Sequence, residues 1–231
     1  MIMDTGMIVY GTTDIIDNRK NSKRKPEEQK QEEQIKYLKE AEIIKLLINI
    51  PNELHSLLYQ FLFETAGRCS EVLSVKLSDI DMYNKTVKLI TLKKRKGEHG
   101  KSKPPVYRVL TLSDALITKI LLYEKRLKLS GQDYLFTRKA RTEHISVQAV
   151  NQAMKKYVPG ILGAEYKKYG HPHVFRHSRA VQLLNSGKVD IVKLQRILGH
   201  ANIQNTLIYL QFSNKDIQES VRNANAQIGL I

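Results

Sequence analysis

The chain has no tryptophan, 6 prolines and a single cysteine, Cys69, in 231 residues. One cysteine cannot close an internal disulfide and makes a thiolate zinc site a poor candidate, so neither staple substitutes for a hydrophobic core. Acidic residues are scarce as well: 23 Asp plus Glu stand against 38 Lys plus Arg, a formal charge of +15. That imbalance points to a polyanionic partner, nucleic acid or an anionic membrane. Apolar runs of the roughly 18 residues that span a bilayer are missing, and "MIMDTGMIVYG" has no basic start ahead of its short apolar patch. Nucleic acid is then the better match, and the expectation is a soluble, intracellular (cytoplasmic) protein. A hydrophobic content of 42% suffices for one large domain or two small ones.

Residues 1–17 read as weak strand or tail, and 18–36, "NRKNSKRKPEEQKQEEQIK", as a charged linker with a basic block ahead of an acidic one. From Tyr37, Leu38, Ile43, Ile44, Leu46 and Leu47 recur at helical spacing until Pro51. "NELHSLLYQFLFET" predicts a buried helix, "AGR" at 66–68 breaks it, and "SEVLSVKL" predicts a third. "KTVKLITLKK" and "VYRVLTL" then alternate with period two around the basic loop "KRKGEHGKSKPP", a β-hairpin with a cationic tip. Helices are expected over 113–129, 146–157, 174–186, 190–198 and 203–211, with a last amphipathic piece near 214–225 and Gly187 and Gly199 at helix ends. The fold class is mostly α with a small antiparallel β-hairpin or sheet.

The chemistry concentrates in "HPHVFRHSRA", residues 171–180, where three histidines and two arginines occur without an acid. Pro172 fits the first turn of a helix running from His173 to about Ser186, on which His173, Arg176 and His177 share one face. Val174, Val181 and Leu184 turn to the core, with Phe175 at an edge. A capped, solvated helix end has the same spacing, and so does a histidine metal site. Against the metal, no Asp or Glu lies between His171 and Lys188, and Arg176 and Arg179 repel a divalent cation. Guanidinium and imidazole without carboxylate complement an anion, and arginine holds phosphate oxygens through a planar fork.

Two further stretches extend the pattern. "TAGRCSEVLSVKLSDID" puts Arg68 at a helix start with Glu71 one turn on, and "LGHANIQNTLIYLQFS" puts His200 past a helix end with Tyr209 nine residues later. In order and spacing these boxes resemble the tyrosine recombinase family, the phage integrases, Xer and Cre enzymes, over about residues 37–215. The resemblance implies an α+β tyrosine recombinase catalytic-domain fold. It implies site-specific cleavage and rejoining of double-stranded DNA through a 3′-phosphotyrosine, with no metal, ATP or other cofactor and with self-association on DNA, dimer to tetramer. Tyr209 is then the nucleophile; Arg68 and Arg176 clamp the scissile phosphate, with His173 and His200 hydrogen-bonding around it. A hairpin lysine is the general acid, best matched by Lys96 before Gly97, with Lys94 and Lys101 as alternatives. Glu71 and His177 orient these groups, and Lys93, Lys94, Arg95, Lys101, Lys103 and Arg179 are placed on the DNA.

On this reading 1–36 is a tail, linker or arm, 37–215 the catalytic domain, and 216–231 a tail whose apolar end, Ile228 to Ile231, suits docking on a neighbouring protomer. Most family members carry a helical core-binding domain ahead of the catalytic one. Here 36 residues precede Tyr37, so the chain is expected to be a catalytic fragment or a minimal recombinase whose segment Arg19 to Lys25 wraps DNA. Phe175 stands where the family has leucine. A type IB topoisomerase-like relaxing activity and a non-catalytic DNA-binding regulator are the rival functions. Residue by residue, plainer roles stay open: Tyr209 as a half-buried aromatic, Arg68 as a surface partner of Glu71, His200 as a helix cap, and the basic loop as a solvated turn.

The charge yields the first prediction. Affinity for duplex DNA in a filter-binding titration falls on the order of 10³-fold between about 50 and 200 mM salt, because each phosphate contact releases counterions. A flat response removes DNA as the partner.

Overall fold

The computed structural model describes residues 35–91, 106–137, 143–212 and 225–226, all within the compact unit Ile35–Ile231. The strand and tail expected at 1–17, the linker up to 34, the hairpin tip and most of the piece near 214–225 lie outside these residues. No helix among the described residues is long and apolar enough to cross a membrane.

Helix α1 (Glu40–Ile48) starts where Lys39 donates its backbone N–H to Glu42 Oε2 at 2.7 Å, with Glu40 and Glu42 at the positive end of the helix dipole. Helix α2 (Glu53–Thr65) is opened by Asn52, whose side chain accepts from the His55 amide at 3.0 Å. It stops at Ala66, which takes a left-handed φ of 47°. Gly67 follows because a Cβ there would lie 2.6 Å from Val72 Cγ2. Arg68 then caps α3 (Cys69–Leu73), shorter than the sequence suggests, and a 3-10 turn at Leu77–Asp79 leads into the sheet.

That sheet has three antiparallel strands, β1 (Ile80–Asp81), β2 (Thr86–Thr91) and β3 (Val106–Thr111), in the order β1-β2-β3. The expected hairpin is β2 with β3, in register from Thr86 opposite Thr111 to Thr91 opposite Val106. Two-residue β1 carries too little alternation to announce itself.

Helix α4 (Asp114–Leu127) and α5 (Val147–Leu162) are capped by Ser113 and Ser146. Expected to stop near 157, α5 runs through Pro159, which gives up its own hydrogen bond to the carbonyl four residues back. Its buried face of Val150, Met154 and Val158 holds the extra turn in place. Helix α6 (His173–Asn185) carries the histidine cluster, and α7 (Ile191–Leu198), capped by Asp190, ends at Gly199 with φ 64°. The single helix expected at 203–211 is instead a four-residue α8 (Gln204–Leu207) followed by a 3-10 turn, Leu210–Phe212. The backbone N–H groups of Tyr209 and Phe212 bond three residues back, to Thr206 and Tyr209, each at 3.1 Å.

Two apolar clusters form. The larger joins α1 to α5 with β2 and takes in Val174 and Phe175 of α6; the smaller gathers Ala66, Val181, Leu184, Leu194, Leu198 and Tyr209 under the histidines. Phe175 is therefore core and not edge: it is fully buried and stacks on Tyr59 with ring centroids 5.4 Å apart. Phe175→Ala should cost about 3–5 kcal/mol in denaturant unfolding, the range for an emptied aromatic site; a loss below about 1 kcal/mol would place the ring at the surface after all.

Candidate active site

The side chain at the centre of the site is Arg176 of α6, only 3% exposed. A buried guanidinium needs acceptors, and the described residues supply three at close range. Nη1 donates to the Ala66 carbonyl at 2.7 Å; Nη2 donates to the Leu198 carbonyl at 2.8 Å and to His200 Nε2, also at 2.8 Å. Both carbonyls are at C-terminal ends of helices, α2 and α7, where backbone oxygens lack helical partners. Burial, then the charge of Arg68, lowers Arg176 to about 10, so it stays cationic at neutral pH.

His200 follows the left-handed turn at Gly199. Arginine has no acceptor, so His200 Nε2 must accept, which places the ring proton on Nδ1, 2.9 Å from Thr206 Oγ1. The ring is neutral: burial, reinforced by Arg176, Arg68 and Arg108, lowers its pKa to about 4.

Tyr209 sits beside α6 with 1% exposure, its hydroxyl 2.8 Å from His177 Nδ1. Burial raises the phenol pKa, and the charges of Arg176 and Arg68 oppose that rise. His177 is lowered to about 4 by burial and then by His173, His171 and Arg176, which leaves a neutral imidazole facing the phenol. His173, one turn earlier and exposed, stacks obliquely on His177 at 6.1 Å between centroids. Its pKa is lowered by desolvation and by Arg176 and Arg68.

Arg68, 30% exposed, is held by Glu71: Nη1 donates to Oε1 at 2.8 Å, and the Arg68 amide donates to Oε2 at 3.2 Å. Glu71 is 1% exposed and also receives Arg108 Nη2 on Oε2 at 2.6 Å. Burial pushes the Glu71 carboxyl up, but Arg108 and Arg68 outweigh it and keep it ionised, below its ordinary value.

The sequence-predicted residues thus divide. Arg68, Glu71, Arg176, His177, His200 and Tyr209 come together, with His173 on their open side. Arg179 is elsewhere in contact, its guanidinium over the Phe63 ring at 5.4 Å and bonded to Gln182 Oε1 at 2.5 Å. Lys93, Lys94, Arg95, Lys96, Lys101 and Lys103 lie outside the described residues. Arg108 went unread, although a lone arginine at an inward position of the alternating "VYRVLTL" was its signal. Among the described residues no group of three His, Cys, Asp or Glu is placed to hold a metal.

Two guanidiniums and two neutral imidazoles around a phenol are a setting for an anion under attack. The model of the phage integrase family matches residues 36–216. The chain belongs to that family. Tyrosine recombinase XerA of Pyrococcus horikoshii is 32% identical over 184 residues, 78% of this chain and 59% of that protein. XerA of Pyrococcus furiosus is 32% identical over 200 residues, 85% of this chain and 64% of that protein. The chain therefore spans less than two thirds of either relative. Among solved structures, the Tn1549 transposon integrase in complex with circular intermediate DNA superposes with a TM-score of 0.63 at 21% identity, covering 84% of this chain and 67% of that one. The tyrosine recombinase catalytic-domain fold is thus shared with an integrase.

The two histidines lowered furthest, to about 4, set the main part of a pH response. An unfolded histidine titrates near 6.5 and His177 and His200 near 4, so the unfolded chain binds more protons between those values. Stability from these groups is fully present above about pH 6.5 and is lost as pH falls towards 4. The melting temperature should drop across that window, and His177→Phe should flatten the slope. An unchanged slope in that variant places the His177 pKa near its ordinary value.

Proposed function

We propose that this chain is a site-specific DNA recombinase or integrase that cleaves and rejoins double-stranded DNA through a covalent 3′-phosphotyrosine on Tyr209. It acts in the cytoplasm, on nucleoid DNA, as a dimer that pairs into a tetrameric synapse. The observation that carries the reading is the 2.8 Å contact between the Tyr209 hydroxyl and a neutral His177 imidazole, within the field of Arg176 and Arg68.

An ordinary phenol, with a pKa of about 10, is protonated near neutrality, and burial raises Tyr209 further. It needs a base at the moment of attack. As Oη bonds to phosphorus, the phenol proton passes to His177 Nδ1. The bond from phosphorus to the 5′ oxygen breaks, and that oxygen takes a proton from a hairpin lysine, with Lys96 first and Lys94 and Lys101 as alternatives. Negative charge building on the non-bridging oxygens meets Arg68 and Arg176, with His173 and His200 around them. Preorganised donors of this kind are worth on the order of 10² to 10³ each in rate. The phosphotyrosine keeps the energy of the broken ester, so an incoming 5′-hydroxyl reseals the strand by the reverse step, returning the proton to Tyr209. Two guanidiniums do the electrostatic work often given to a metal. Lys93, Arg95, Lys103 and Arg179 add contacts to the DNA backbone.

Trapping on a library of nicked suicide duplexes tests this. In EDTA the parent chain should form an SDS-stable protein–DNA adduct and Tyr209→Phe none. An adduct that persists in that variant moves the nucleophile to another residue, and an adduct lost on chelation restores a metal to the mechanism.

A further inference from the structure

Arg108 occupies the middle of β3, opposite Leu89 of β2. The alternation of β3 leaves Tyr107 and Val109 exposed and turns Arg108 inward, where its side chain is 9% exposed. Besides Glu71 it reaches Thr91 Oγ1 with Nη1 at 3.3 Å, while its Nε has no partner among the described residues. The same guanidinium lies against the turn before His200: a Cβ on Gly199 would come 2.9 Å from Arg108 Nη1. One side chain thus touches the carboxylate that holds Arg68 and the turn that presents His200. It is too enclosed to grip a substrate itself.

The charges explain why a second cation is needed there. A carboxylate at 1% exposure is stable as an anion only when hydrogen-bonded cations surround it. With Arg68 as sole partner, Glu71 would draw in both edges of that guanidinium. Arg108 takes Oε2 at 2.6 Å, so Arg68 gives one Nη to Oε1 and remains 30% exposed, with N–H donors beyond the one that Glu71 Oε1 takes.

We propose that Arg108 is a positioning residue for strand cleavage, engaging Glu71 and the Gly199 turn so that Arg68, and Arg176 with its partner His200, face one phosphate. This rests on the reading that Arg68, Arg176 and His200 surround a scissile phosphate. Arg108 acts through Arg68, so its loss should be felt in proportion to the charge on the phosphate oxygens. A merely structural residue would slow all substrates alike.

The test measures single-turnover adduct formation, well below the melting temperature, on the nicked duplex sequence most enriched by covalent trapping. Its scissile position carries either a normal phosphodiester or a neutral methylphosphonate. Arg68→Ala is the reference. Arg108→Met should slow cleavage of the phosphodiester on the order of 10²-fold, as for a lost preorganised donor, and cleavage of the methylphosphonate by less than about fivefold, with duplex affinity nearly unchanged. Arg108→Lys keeps the cation beside Glu71, so it is the variant to read if Arg108→Met does not fold. It loses the planar fork and should show about a tenfold loss with the same substrate dependence. Equal loss on both substrates, or parental rates in the variant that folds, overturns the inference while leaving the recombinase reading intact. A parent chain that forms no adduct with any duplex overturns both.

Discussion

A guanidinium cannot be neutralised in a protein, so burying one obliges the surrounding chain to supply acceptors in fixed places. Arg176 is that obligation. Two of its acceptors are the Ala66 and Leu198 carbonyls, which close α2 and α7. Such oxygens carry the negative end of the helix dipole and have no helical partner of their own. One side chain on α6 therefore satisfies two helix ends that are far apart in sequence. Its third bond, to His200 Nε2, fixes that ring as the Nδ1–H tautomer and orients it towards Thr206. The turn before Arg68 and the turn before His200 are brought together by a bond needed for folding, and the site is assembled as the core closes.

Charge bookkeeping then defines what the site receives. Arg68, Arg108 and Arg176 face a single buried carboxylate, Glu71, and the adjoining His177 and His200 are neutral above about pH 4. Positive charge is left over in a place with little water to screen it, which raises the worth of an incoming anion. Burial, reinforced by that surplus, lowers the histidine pKa values, and the same charges oppose the rise that burial imposes on Tyr209. The phenol is neutral in the resting protein and faces an imidazole that is also neutral, so a proton can pass between them without a charge having to be carried in from solvent.

Much of this was legible in the residues. Helical spacing put His173, Arg176 and His177 on one face, Gly199 marked the end of α7, and alternation on both sides of a basic loop gave the β2 and β3 pair. The missed features share a cause: each depends on a neighbour distant in sequence. His177 is expected among the groups that orient the arginines, and the contact local spacing could not show is with Tyr209, 32 residues on. Phe175 looked marginal until Tyr59 of α2 stacked over it. Arg108 is a polar residue in an inward strand position, a local conflict that becomes sensible only when Glu71 arrives from 37 residues away. Local rules fail in this way where function is concentrated.

The break after α8 belongs to the same logic. A continuous helix over 203–211 would have carried Tyr209 on a rigid rod, whereas bonds three residues back give a looser and less stable support. The segment is tied down by side chains instead, Thr206 to His200 on one side and Tyr209 to His177 on the other. Both ties end on imidazoles of the histidine and arginine cluster, and neither involves a charged partner. A hydroxyl that is 1% exposed must give up its hydrogen bond before it can meet anything that enters the site. Placing Tyr209 on a short segment, held by two neutral hydrogen bonds each worth about 1 kcal/mol net, keeps its hydroxyl aligned with the His177 imidazole while leaving release of that bond within reach of thermal motion.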